Sequence, residues 1–218
     1  MEDDRLAGKH IIVTGGATGI GRGDTHRNCG GNVSVFDLKS AVETTEAIAD
    51  VGREVGSYEV DVTDRAALTE AVEDAIQARG PISGLVNSAG IQTKRPFLET
   101  SPDELLHQLR INVGGTFIAS QVVASHLADH DEGGAIVNIG SLVGAGGPNR
   151  GQASYATSKV AIASITTVMA MELADHDIRC NVIHPGAIDT PILAAFADES
   201  EDESSERTID GVGLQIDT

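Results

Sequence analysis

Short apolar runs alternate along this chain with longer stretches of helical period. Lys9-His10-Ile11-Ile12-Val13-Thr14 reads as a buried strand that enters a glycine run. Asn32 to Asp37, Ser57 to Val62, Leu85-Val86-Asn87, Ala135 to Ile139 and Cys180 to Ile183 read as five more strands. Between them lie predicted helices over Ala41–Val51, over Asp64–Ala78 and over Ala153–Leu173. Asp64 is a natural cap, and Ala67, Leu68, Ala71, Val72 and Ala75 recur at helical spacing behind it. Ser101-Pro102-Asp103-Glu104 opens a long helix with a serine cap, a proline in the first turn and then two acids. Residues 153–173 are small or apolar on most sides, which predicts a largely buried helix. Strands that alternate with helices predict parallel βαβ units and an α/β, doubly wound parallel sheet.

The glycine run is Thr14-Gly15-Gly16-Ala17-Thr18-Gly19-Ile20-Gly21, directly after the first strand. Glycines there let backbone approach a pyrophosphate, whose oxygens the N–H groups can bind. A tight turn is the plainer reading, and position after an apolar strand favours the dinucleotide site. Asp37 closes the second strand, where an acid accepts both ribose hydroxyls and repels a 2′-phosphate. This favours NAD over NADP, although Lys39 lies close by. Asp61, Val62 and Asn87 sit at two further carboxyl ends of strands and are expected to line the adenine and ribose side.

Tyr155 and Lys159 are one helical turn apart and share a face. A tyrosine ordinarily titrates near about 10, and a nearby ammonium favours its phenolate. A phenol tuned in this way can give a proton to a ketone oxygen or take one from an alcohol. Ser141 ends the fifth strand and can hydrogen-bond the same oxygen.

Taken together, these pieces resemble the short-chain dehydrogenase/reductase family. The matching residues are Thr14-Gly15, Gly19 and Gly21, Asn87-Ser88-Ala89-Gly90, Asn112, Ser141, Tyr155 with Lys159, and Pro185-Gly186 followed by Thr190. All fall in family order, across about residues 6 to 195. The resemblance implies a single Rossmann-like domain over residues 1–218, with strand order 3-2-1-4-5-6. It implies an NAD(P)-dependent oxidoreductase that passes a hydride between the nicotinamide and a secondary alcohol or ketone, such as a sugar or a 3-oxoacyl thioester. In that frame Tyr155 is the general acid/base, Lys159 binds the nicotinamide ribose, and Ser141 positions the carbonyl. Asn112 holds a water that links Lys159 to solvent. Gly15, Thr18, Gly19, Ile20, Gly21, Asp37, Asp61, Val62, Asn87, Ala89, Gly90, Pro185, Gly186, Ile188 and Thr190 hold the cofactor beside Tyr155 and Lys159. Gln92, Leu142, Val143 and Ala187 line the substrate pocket. The helices that carry Asn112 and Tyr155 pack on a neighbour in this family, which implies a homodimer or homotetramer.

Two stretches depart from the family. After Gly21 the chain runs Arg22-Gly23-Asp24-Thr25-His26-Arg27-Asn28-Cys29-Gly30-Gly31, with no apolar stripe and with glycines that oppose a helix. The end of the chain matches neither a further helix nor a seventh strand, so the C-terminal strand is expected to be missing. A shifted reading frame in both stretches accounts for them; a shortened natural loop is the rival account. Residues 198–206 are all Asp, Glu or Ser, so 198–218 is read as an acidic, mobile tail.

Charge changes the picture last. The formal net charge is −18, with four lysines only: Lys9, Lys39, Lys94 and Lys159. No basic patch is visible for nucleic acid. A carboxylate-rich surface is relieved by salt, which points to a halophile. No apolar run reaches membrane-spanning length, and Met1-Glu2-Asp3-Asp4-Arg5 is no signal peptide, so a cytoplasmic protein is expected. Cys29 and Cys180 are read as free thiols. His126 and His130 share a helical face, where an exposed polar surface is favoured over a metal site. His184 precedes Pro185-Gly186 and is expected near the cofactor. The rival to an enzyme is an impaired relic or a non-catalytic dinucleotide sensor, and the intact Ser141, Asn112, Tyr155 and Lys159 set argues against a sensor.

Overall fold

The structure is a computed structural model that describes residues 5–26, 30–49, 55–130, 133–147 and 149–191. Its strands are β1 (His10–Thr14), β2 (Asn32–Asp37), β3 (Val55–Glu59), β4 (Gly84–Asn87), β5 (Gly134–Ile139) and β6 (Ile178–Ile183). Its helices are α1 (Gly19–His26), α2 (Val42–Ala49), α3 (Arg65–Arg79), α4 (Pro102–Leu109), α5 (Thr116–Asp129) and α6 (Ala153–Glu172). All neighbouring strands pair in parallel, in the order β3-β2-β1-β4-β5-β6. The order reverses between β1 and β4, and a doubly wound sheet opens its binding crevice at such a point.

The core divides between the two faces because successive strand residues point to opposite sides. Ile12, Phe36, Leu85 and Ile136 meet Leu68 and Val72 of α3 and Val123 and Leu127 of α5. Val13, Val33 and Val35 turn the other way, toward Ala17 and Ala41. On β6 the alternation is plain: Ile178 and Cys180 are buried, while Arg179 and Asn181 are exposed. Among the described residues, β6 is therefore covered on one face. The C-terminal stretch expected to lack a seventh strand, and the acidic run, lie outside those residues.

Caps confirm two helix starts. Asp64 accepts from the N–H groups of Ala66 and Ala67, and Ser101 and Glu104 close a reciprocal capping box. Three expectations are corrected. The stretch after Gly21 does form a helix, α1, without an apolar stripe. Buried Thr25 bonds its hydroxyl to Gly21 O at 2.7 Å, and Gly21 lets the turn lie directly on Gly15. Close backbone contact replaces the missing side chains. The third strand runs earlier than expected and ends at Glu59. After Val60 N–H bonds to Asp37 O at 2.9 Å, the chain turns away from the sheet. Third, α6 is only partly buried. Ser154, Ser158, Lys159, Ile162 and Thr166 face inward, while Val160, Val168 and Met171 are exposed. One chain covers only one stripe of a helix that is apolar all round.

Candidate active site

A cleft of about 860 Å³ opens along the carboxyl ends of the strands. Its floor is the β1–α1 turn. Gly15 has φ +69°, and a Cβ there would lie 2.6 Å from the backbone of Ala89, so only glycine lets the two strand ends approach. Thr14 Oγ1 accepts from the N–H groups of Ser88 and Ala89, each at 3.2 Å, which latches β1 to β4 across the crevice. Gly19 (φ +57°) opens α1 and faces Thr190. Asp37 braces this turn. One carboxylate oxygen accepts Ala17 N–H and the other Lys39 N–H, both at 3.0 Å.

The reacting end gathers β5, the loop behind it and α6. Ser141 is buried, and its Oγ accepts Val143 N–H at 3.2 Å. Gly140 N–H donates to Ile183 O and Leu142 N–H to Pro185 O, which ties the loop to the end of β6. A Cβ at Gly144 would fall 2.9 Å from Lys159, so glycine lets this loop rest on α6. Lys159 is buried and donates from Nζ to Ile139 O at 2.8 Å. Its ammonium lies 5.6 Å from the Tyr155 ring centre. Burial pushes the Lys159 amine down to about 8. Burial pushes the Tyr155 phenol up, while a hydrogen bond with Ser141 pulls it down. The net direction is upward, opposite to the lowering expected from the Tyr–Lys spacing, because desolvation of the phenolate outweighs the hydrogen bond with Ser141.

Gly15, Thr18, Gly19, Ile20, Asp37, Asp61, Val62, Ala89, Gly90, Ser141, Tyr155, Lys159, Pro185, Gly186, Ile188 and Thr190 all line the cleft. So do Gln92, Leu142, Val143 and Ala187. Three other expected residues stand behind the wall. Gly21 is buried under Gly15. Asn87 is buried too and donates to Ser120 Oγ and Asn138 Oδ1, both at 2.9 Å, so it braces the sheet. Asn112 sits in a π-helical segment, Arg110–Gly115, that joins α4 to α5. Such a widened turn re-aims side chains. Here it points Asn112 at Ile91, whose N–H and O it binds at 2.8 and 2.9 Å, and at Ser158 Oγ at 3.0 Å. Through these three bonds Asn112 braces the wall.

His184, expected near the cofactor, packs against Gly140 with its Nδ1 3.1 Å from Ser141 O, and it is not among the residues that line the cleft. Sequence reasoning overlooked one feature. Lys94 and Arg150 line the mouth beside Gln92 and Gln152; the scarcity of lysine was the available signal for Lys94. The His126–His130 pair is accounted for by the fold: His126 Nε2 accepts Ile82 N–H at 3.2 Å, and His130 Nδ1 bonds His126 O at 2.8 Å. Among the described residues no three metal-ligating side chains cluster. Cys180 is a buried free thiol, and Cys29 lies outside the described residues.

A glycine-floored crevice, an acid at the end of β2 and a buried serine–tyrosine–lysine group define a nicotinamide-dinucleotide oxidoreductase site. Comparison with known proteins agrees. The model of the short chain dehydrogenase family matches residues 9–201. The chain is 33% identical to the 3-oxoacyl-(acyl-carrier-protein) reductase FabG of Thermotoga maritima, over 93% of this chain and 83% of that protein. It is 34% identical to the human (3R)-3-hydroxyacyl-CoA dehydrogenase, over 93% and 82% of the two chains. Among solved structures, a short-chain dehydrogenase of Mycobacterium paratuberculosis bound to NAD superposes with a TM-score of 0.84 at 26% identity, over 91% of this chain and 81% of that one. The chain belongs to the short-chain dehydrogenase family, and it is an NAD(P)-dependent oxidoreductase of alcohol and ketone substrates.

Proposed function

We propose that this chain interconverts a small secondary alcohol and its ketone with NAD in preference to NADP, and that Tyr155 moves the proton. The observation that carries this reading is the joint position of Ser141, Tyr155 and Lys159 in one cleft, with the ammonium 5.6 Å from the phenol ring. The cofactor fits the chain on geometry: Gly15, Gly19 and Gly90 line the cleft without side chains, and Asp37 and Asp61 line the adenosine end. The bound nicotinamide supplies or accepts the hydride. Ser141 holds the substrate oxygen, Tyr155 gives or takes its proton, and Lys159 keeps a positive charge beneath the phenol. Asn112 acts through Ile91 and Ser158 as a positioning residue. Asp37 selects NAD because a 2′-phosphate brought beside it sets like charges together. Relatives named for 3-oxoacyl and 3-hydroxyacyl thioesters support a carbonyl or alcohol of that size.

The exposed apolar residues of the helical side, Leu106, Phe117, Val160 and Met171, support a homodimer or homotetramer. The charge of −18 supports a salt-rich, cytoplasmic setting. Among the described residues no helix is long and apolar enough to cross a membrane.

Melting in molar potassium chloride with NADH, and separately with NADPH, tests the cofactor assignment. A larger rise with NADH is expected, and an equal or larger rise with NADPH would refute the role of Asp37. Tyr155→Phe is expected to lower kcat by about 10²- to 10⁴-fold while the NADH-induced rise persists. Retained turnover would remove Tyr155 from the reaction.

A further inference from the structure

The two ends of the cleft differ in charge. Asp37 and Asp61 line one end together with Lys39; Lys94 and Arg150 line the other, beside Gln92, Leu142 and Gln152, which are all uncharged. The chain as a whole holds 33 acids against 15 lysines and arginines. Yet three of its four lysines, Lys39, Lys94 and Lys159, line this one cleft. Lys159 is accounted for by Tyr155. The pair at the mouth is not.

Lys94 and Arg150 come from different segments that the fold straps together. Arg95 N–H donates to Gly151 O at 2.8 Å. A Cβ on Gly151 would lie 3.1 Å from Lys94 Cγ, so the lysine stem runs against the turn that carries Arg150. Neighbouring Arg95 is neutralised by Glu104 at 2.6 Å. Among the described residues, neither Lys94 nor Arg150 has an ion-pair partner. Two exposed cations that line one cleft with Ser141 and Tyr155, without an ion-pair partner among the described residues, match a carboxylate or a phosphate, and guanidinium binds either through paired hydrogen bonds.

We propose that the substrate is an anion, a ketone or secondary alcohol with a free carboxylate or phosphate, which Lys94 and Arg150 hold while its oxygen meets Ser141 and Tyr155. This rests on the alcohol–ketone reading of the site. The acidic remainder of the surface repels such a substrate elsewhere, so these cations also mark the place where it can approach.

The test uses matched pairs with NADH: 3-, 4- and 5-oxo acids against their methyl esters, and dihydroxyacetone phosphate against dihydroxyacetone. In low salt the anion of an accepted pair is expected to exceed its neutral partner about tenfold or more in kcat/KM, mainly through KM. That advantage should shrink as potassium chloride is raised. The double variant Lys94→Gln/Arg150→Gln collapses the ratio toward one, while Lys94→Arg/Arg150→Lys keeps it. The carboxylate and phosphate arms show which anion is used. A neutral partner that matches or beats its anion, or a ratio unchanged in the glutamine variant, overturns the proposal. Should no pair turn over, melting of the NADH-loaded protein with each anion decides. Stabilisation that the glutamine variant lacks supports the anion site and counts against the alcohol–ketone reading alone; no stabilisation by any anion overturns the anion site.

Discussion

Two helices border the cleft, and they are held by different means. α1 is eight residues long, has no apolar stripe and carries glycines at both Gly21 and Gly23. It is seated by contact of backbone on backbone, Gly21 on Gly15, with one buried hydroxyl bond from Thr25. α6 is twenty residues long and is pinned to its neighbours through polar side chains. Lys159 holds Ile139 O, Thr166 receives a bond from Asn138, and Ser158 receives one from Asn112. The floor of the cofactor site therefore depends on the absence of side chains, and the reacting wall on their presence. A backbone seat tolerates almost any polar sequence but no added carbon at the contact. A polar lattice tolerates changes of size poorly and changes of charge worse.

Removing the cation from the wall is expected to have the largest effect. Lys159→Met should lower kcat by about 10²-fold or more. It should also change how stability varies with pH. The amine sits at about 8 in the folded chain against 10.5 when unperturbed, so folding disfavours its charged form. That penalty is fully present below pH 8 and is lifted as pH rises from 8 toward 10.5, where the unfolded chain holds the extra proton. Denaturant melts across this window should show wild type gaining stability relative to Lys159→Met. Parallel curves would mean that the ammonium is better solvated than its burial implies.

An intermediate effect is expected on the floor. Gly21→Ala drives a methyl into the Gly15 carbonyl, which should cost about 1–3 kcal/mol and erase the NADH-induced rise in Tm. An alanine variant that still responds fully to NADH would show that the seat of α1 is looser than the contact suggests. The smallest effect belongs to Thr25→Val, which removes one hydroxyl bond and keeps the shape. A loss of about 1 kcal/mol is expected, seen as a Tm lower by about 2–4 °C. A larger loss would mean that α1 leans on Thr25 more than on glycine.

How far each part could be read in advance follows the same division. The strands, the capped starts at Asp64 and Ser101, and the Ser141, Tyr155 and Lys159 group were legible because they rest on period, cap chemistry and spacing. α1 was misjudged because helix propensity counts a residue's own preference and is blind to a neighbouring strand end that fits only glycine. Asn87 and Asn112 were placed in the cofactor and catalytic lists by order along the chain. Their actual partners, Ser120, Asn138, Ile91 and Ser158, come from other elements. The burial of α6 was overstated because an apolar composition does not say which stripe another element of the same chain will cover.

By itself, the sequence determined what depends on neighbours along the chain: the alternation that makes a parallel sheet, the glycine turn after β1, and a tyrosine one turn from a lysine. The tertiary structure alone decided what depends on distant segments meeting. It set the upward push on Tyr155, because burial is a property of the assembled cleft. It turned Asn112 into a strut through a π-helical turn, and it laid His184 on Gly140 beneath Ser141. It also brought Lys94 against Gly151, next to Arg150, a pairing that fifty-odd intervening residues conceal. Local order is written in short-range preferences, whereas desolvation and charge pairing act through space and wait for the fold.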